Sequence, residues 1–97
     1  MKAIVIQQYG EPEVMELTEV PTPEPKEGEV LVEVKACGVN YTDTSGRRTG
    51  LHAGGSLPWI PGKEIAGVVK ELGPGVTGFS PGDRVVALMM EEGRGYA

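Results

Sequence analysis

The chain has one cysteine and one histidine in 97 residues, so neither an internal disulfide nor a standard Cys/His zinc site can be built from it. Positive charge is also scarce. Nine Lys and Arg against fourteen Asp and Glu leave a net charge of −5. Phosphate backbones are gripped by clustered Lys and Arg, so no nucleic-acid partner is expected. Long hydrophobic runs are missing too. The apolar run near the start, Ala3 to Ile6, is too short for a signal peptide or a membrane span. No membrane partner is expected, and a reducing cytoplasm is the expected compartment. Amides are limited to Gln7, Gln8 and Asn40, and twelve of the fourteen acids are Glu, a bias that points to a thermophilic source.

What the chain does have is turn chemistry. Fifteen glycines and eight prolines are spread between short apolar runs, and the 39% hydrophobic fraction suffices for one modest core. Strands are expected at Lys2–Gln8, Val14–Val20, Glu29–Ala36, Glu64–Leu72 and Arg84–Met90. Met15 and Leu17 share a face in the second run. In the third, the alternation puts Val30, Val32, Val34 and Ala36 on one side and Glu29, Glu33 and Lys35 on the other. Pro21, Pro23 and Pro25 keep the segment between them extended and exposed, because proline lacks a ladder donor. Val39 to Arg48 is the one helical stretch, with Asn40, Thr42, Asp43 and Thr44 as candidate caps. Gly50 to Pro61 reads as a loop pinned by Leu57, Trp59 and Ile60. The pattern is that of one mainly β domain over residues 1–97, a barrel or sandwich with a single short helix.

Several motifs reduce to ordinary structure. Gly73-Pro74-Gly75-Val76-Thr77-Gly78 has the letters of a dinucleotide fingerprint, but a strand follows where a helix is required, so it reads as a turn. Asn40-Tyr41-Thr42 spells a glycosylation sequon without a secretory signal. Cys37 has no adjacent cation to lower its pKa and reads as a small buried apolar residue. His52 lies in a Gly-rich loop, either solvated or lining a cleft, and no nucleophile-elbow pattern joins it to a serine. Two stretches stand out. Cys37 to Asp43 packs an amide, a phenol, a hydroxyl and a carboxylate into four residues after a strand end. These are either a helix cap or a polar site. Pro61 to Val69 combines a turn, the adjacent charges Lys63 and Glu64, and a glycine, Gly67, suited to close backbone packing.

Together these stretches resemble the N-terminal, GroES-like domain of medium-chain dehydrogenases/reductases, and among them the zinc-free, zeta-crystallin-like quinone oxidoreductase branch. The resemblance runs through Met1-Lys2-Ala3-Ile4, Glu29-Val30-Leu31-Val32, Gly38-Val39-Asn40 with Asp43, Leu57-Pro58 with Pro61-Gly62, Glu64 to Val69, and Pro81-Gly82-Asp83-Arg84-Val85. It implies a GroES-like, partly open β-barrel and hydride transfer from NADPH to a quinone or α,β-unsaturated carbonyl. Zinc-dependent relatives carry a cysteine where this chain has Asn40 and a histidine where it has Lys63, so no metal is implied. Asn40, Thr42 and Asp43 become the catalytic candidates, Asn40 and Asp43 the cofactor contacts, and Tyr41 and His52 the substrate contacts. Thr42 takes the position of a proton-relay hydroxyl, Asp43 that of an orienting group, and Lys63 that of a solvated turn residue or a source of distant charge. The family's Rossmann domain is missing from these residues, and Gly93 to Ala97 resembles the start of a further strand. The domain is therefore expected to be incomplete at its C-terminus and inactive alone. It is also expected to dimerise or exchange strands to cover an open edge. The alternatives are a co-chaperonin of the same fold and a non-catalytic interaction module.

Overall fold

The structure is a computed structural model that describes residues 1–51, 56–89 and 93–97. Strands β1 (Lys2–Ile6) and β2 (Met15–Glu19) pair antiparallel, with Ile4 opposite Leu17. A single 3-10 turn, Pro12–Val14, joins them, with its proline at the first helical position where no donor is needed. It takes up Val14, so β2 begins one residue later than the alternation suggests. Strands β3 (Val30–Cys37), β4 (Glu64–Leu72) and β5 (Arg84–Leu88) form a second antiparallel sheet in the order β3-β4-β5. Helix α1 (Tyr41–Thr49) lies between β3 and β4 in the chain and stops at Gly50, whose φ of 79° is the left-handed conformation favoured at a helix end.

The expected face of β3 is only partly right. Val32 and Val34 pair with Val69 and Gly67, but Ala36 pairs with Ala66, leaving Lys35 as the extra residue of a bulge. A bulge inverts the alternation beyond it, so Ala36 turns to the face opposite Val34. Gly67, at the centre of β4, is where the backbones come close. A Cβ there would sit 2.3 Å from the Glu33 carbonyl oxygen.

β1 is hydrogen-bonded along both of its sides. On one side it pairs with β2. On the other, Ile6 and Trp59 exchange both backbone hydrogen bonds, at 2.8 and 2.9 Å, and Ile4 N–H donates to the Tyr96 carbonyl at 2.8 Å. Ile6 and Trp59 are the buried centre of the core, with Val14 and Leu57 packed against them. Among the described residues the two sheets form an open, partial barrel.

Candidate active site

The helix start after β3 is organised by Asp43. Its carboxylate is 4% exposed and accepts three hydrogen bonds: from Asn40 N–H at 2.9 Å, Gly62 N–H at 3.2 Å and the Tyr96 hydroxyl at 3.1 Å. The first is half of a capping box, which explains why Asn and Asp stand three residues apart here. The other two tie the helix to the Pro61–Lys63 turn and to the 93–97 segment. That segment is held in turn by Tyr96 N–H on the Pro61 carbonyl and Gly95 N–H on the Gly62 carbonyl. One turn further along α1, the Arg47 guanidinium donates to the Gly10 carbonyl at 2.5 Å, and Gly10 N–H donates to the Arg47 carbonyl at 2.8 Å.

Asn40 is half-buried, and its side-chain N–H donates to Glu64 Oε1 at 3.0 Å across 24 residues of sequence. Gly38 makes this contact feasible, since a Cβ there would lie 2.1 Å from the same oxygen. Next to Glu64, Lys63 is only 8% exposed, so the solvated-lysine reading is corrected: the turn folds inward and carries the lysine with it. Thr42 is half-buried on the same helix turn, whereas Tyr41 is 79% exposed on its outer face. His52 lies outside the described residues. Beside Glu64 opens a groove of about 580 Å³ whose lining includes Cys37, Gly38, Ala66 and Leu88.

Burial raises the Cys37 thiol above its ordinary value, and the negative charges of Asp43 and Glu64 raise it further. The thiol therefore stays protonated and is a poor nucleophile at neutral pH. Tyr96 is pushed up to about 12, first by burial and then by the charge and hydrogen bond of Asp43. The composition gave no signal for Tyr96. Its part in the site depends on the glycines at 93 and 95, which let the backbone approach Ile60 and Cys37 closely.

Of the sequence candidates, the fold brings Asn40, Thr42 and Asp43 into one helix turn and adds Glu64 and Tyr96. The Asp43 carboxylate is occupied by the chain's own donors, an arrangement suited to orienting its neighbours. Among the described residues, no three or more His, Cys, Asp or Glu side chains stand where they could hold a metal ion. The loop Gly73 to Gly78 runs into β5 and not into a helix, so it forms no dinucleotide cradle.

A partial β-barrel with one capped helix beside a polar cluster is the architecture of the GroES-like domain of alcohol dehydrogenases. The chain belongs to the alcohol dehydrogenase GroES-like domain family, whose model matches residues 26–96. It is 40% identical to the quinone oxidoreductase of Rattus norvegicus over 98 residues, covering 100% of this chain and 30% of that protein. It is 46% identical to an alcohol dehydrogenase of Geobacillus stearothermophilus over 85 residues, covering 88% of this chain and 25% of that one. A mycobacterial protein solved in complex with NADPH superposes with a TM-score of 0.81 at 37% identity, over 99% of this chain and 29% of that one. The chain thus spans about a third or less of the length of these relatives, which are oxidoreductases by name where a name is given.

Proposed function

We propose that this chain is the substrate side of an NADPH-dependent oxidoreductase that reduces a quinone or an α,β-unsaturated carbonyl without zinc, and that its 97 residues alone do not turn over. One observation carries the reading: the Asn40 amide is held by Glu64 at 3.0 Å beside the buried Lys63. Asn40 and Lys63 occupy the two positions where the zinc-dependent members resembled above carry cysteine and histidine. A neutral amide is a poor zinc ligand and an ammonium repels a dication, so the residues do not fit that metal. The similarity to a quinone oxidoreductase along the whole chain, and to a protein solved with NADPH, supports the choice of substrate and cofactor.

NADPH, when bound by the whole enzyme, supplies the hydride. Its nucleotide part would be held outside the described residues, which form no phosphate cradle. The chain's own part is electrostatic. Negative charge that develops on a carbonyl oxygen needs hydrogen-bond donors in place of a Lewis acid. Asn40 has a second amide hydrogen beyond the one held by Glu64, and the Thr42 hydroxyl lies two residues on along the same turn. Asp43 holds that turn against Gly62 and Tyr96, and the groove beside Glu64 offers a flat apolar surface.

The test is a chimera in which this chain replaces the matching segment of the rat quinone oxidoreductase. The expected outcome is NADPH-dependent quinone reduction that survives chelators, falls roughly tenfold to a thousandfold in kcat with Asn40→Ala, and is missing from the isolated chain. Chelator-sensitive alcohol oxidation, or turnover by the 97 residues alone, would overturn it.

A further inference from the structure

Among the described residues β5 is an edge of its sheet with no strand on its outer side, and its sequence and hydrogen-bond phase are self-complementary. Met89 N–H donates to the Lys63 carbonyl at 2.6 Å, and Val69 N–H donates to the Asp83 carbonyl at 2.9 Å, so the odd-numbered positions are the ones bonded to β4. With Gly67 opposite Val85 and Ile65 opposite Ala87, the alternation of an antiparallel ladder assigns Val85 and Ala87 to bonding with β4. The N–H and C=O groups of Arg84, Val86 and Leu88 therefore point away from the sheet. The side chains of Val86 and Leu88 are 83% and 72% exposed. An edge that carries spare backbone donors and exposed apolar side chains is a template for strand addition.

The other edges of the described strands are blunted. On β3 the bulge at Lys35 breaks the ladder, and Lys35 and Glu33 form an ion pair at the surface. On β2, Glu16 and Glu19 would bring four carboxylates together if two copies met there.

We propose that β5 pairs antiparallel with β5 of a second copy about a two-fold axis at Val86. The register then places Val86 opposite Val86 of the copy, and Arg84 opposite its Leu88. All three outward-facing residues meet partners of the same phase, giving about six new backbone hydrogen bonds, two for each bonded pair. The cross-strand rows also match. Ala36, Ala66 and Val86 continue into the same apolar row of the copy, read in reverse. Arg84 falls in one row with the copy's Leu88 and, one strand further, its Glu64. Two strand spacings of about 4.8 Å separate those backbones, a gap that an Arg and a Glu side chain reaching toward each other can span. No like charges stand directly opposite each other, and each copy contributes one such Arg–Glu pair. Two three-stranded sheets become one of six.

Sedimentation equilibrium of the purified chain checks the stoichiometry, and amide exchange read by NMR checks the surface. The expected mass at high concentration is twice 10.3 kDa. On dilution, exchange at Arg84, Val86 and Leu88 should speed up about tenfold or more, while Val85 and Ala87 stay protected by β4. Val86→Lys places two ammonium groups on the axis and should weaken association at least about tenfold. Arg84→Glu should weaken it most at low salt, because it faces Glu64 of the copy. Far-UV circular dichroism of both variants should match the parent, since neither side chain belongs to the core. A monomer at millimolar concentration overturns the proposal. So does a dimer that neither variant weakens, or one in which the amides of Arg84, Val86 and Leu88 stay unprotected.

Discussion

At Asp43 a single buried carboxylate takes three donors from three separate parts of the chain, and Tyr96 shows what that does to a neighbour. The phenol is pushed up to about 12, chiefly by burial and secondly by Asp43, against an ordinary value near 10. A folded-state pKa raised above the unfolded one gives stability that is fully present below about pH 10 and is lost as pH rises through about 12. Urea midpoints measured from pH 9 to 12 should therefore fall across that window in the parent chain. Tyr96→Phe should be less stable at neutral pH by about 1 kcal/mol, because the Asp43 carboxylate loses a donor, and should show a flatter alkaline decline. At this scale the sequence was legible only where partners are close along the chain. Asn40 and Asp43, three residues apart, read as a cap, and they are one. Tyr96 lies 53 residues from Asp43 and Glu64 lies 24 from Asn40, and no local pattern encodes those distances. Of the two readings of Lys63, the solvated one fails for the same reason, since a lysine in a Pro-Gly turn looks solvated until the fold closes over it, and the source of distant charge is the one left.

Elements were more legible than residues because alternation and turn chemistry are local. Every strand of the structure lies within two residues of an apolar run bounded by glycine or proline, and α1 lies where the period changes after Gly38. The bulge at Lys35 was hidden, since an inserted residue leaves a sequence that still alternates. What two elements need in order to touch is clearest at glycines. Gly67→Ala would drive a methyl group to 2.3 Å from the Glu33 carbonyl oxygen, and neither backbone can yield without breaking the β3–β4 ladder. Gly46→Ala would normally favour a helix by about 1 kcal/mol, but its Cβ would stand 2.5 Å from Trp59 Cη2, against the packed core. Overpacking outweighs propensity at both sites. Both variants should lose about 1–3 kcal/mol in urea unfolding, with Gly67→Ala the worse because its obstacle is backbone. A stabilised Gly46→Ala would mean that Trp59 moves aside freely.

Over the whole molecule, openness governs stability. The radius of gyration is 13.7 Å with a long axis of 40 Å, against about 12.5 Å for a compact chain of this length. Two sheets that do not close leave Leu17, Val86 and Leu88 in solvent, and the centre rests on Ile6 and Trp59. Composition foresaw a modest core in a mainly β chain. It could not foresee that one indole joins β1, α1 and the loop before β4, because that convergence exists only in three dimensions. Trp59→Ala should therefore remove about 3–5 kcal/mol, much of what a domain this small has, and abolish the cooperative transition in far-UV circular dichroism. Trp59→Phe is the discriminating partner experiment. The indole Nε1 is buried with no hydrogen-bond partner among the described residues, so phenylalanine keeps most of the apolar contact and loses no bond. Its cost should stay below about 2 kcal/mol, well under that of alanine. Leu17→Ser, at an exposed position of the open β1–β2 face, should change stability by no more than about 0.5 kcal/mol. If Leu17→Ser proved as damaging as Trp59→Ala, the open face would be a buried one in solution, and the core would have to extend beyond Ile6 and Trp59.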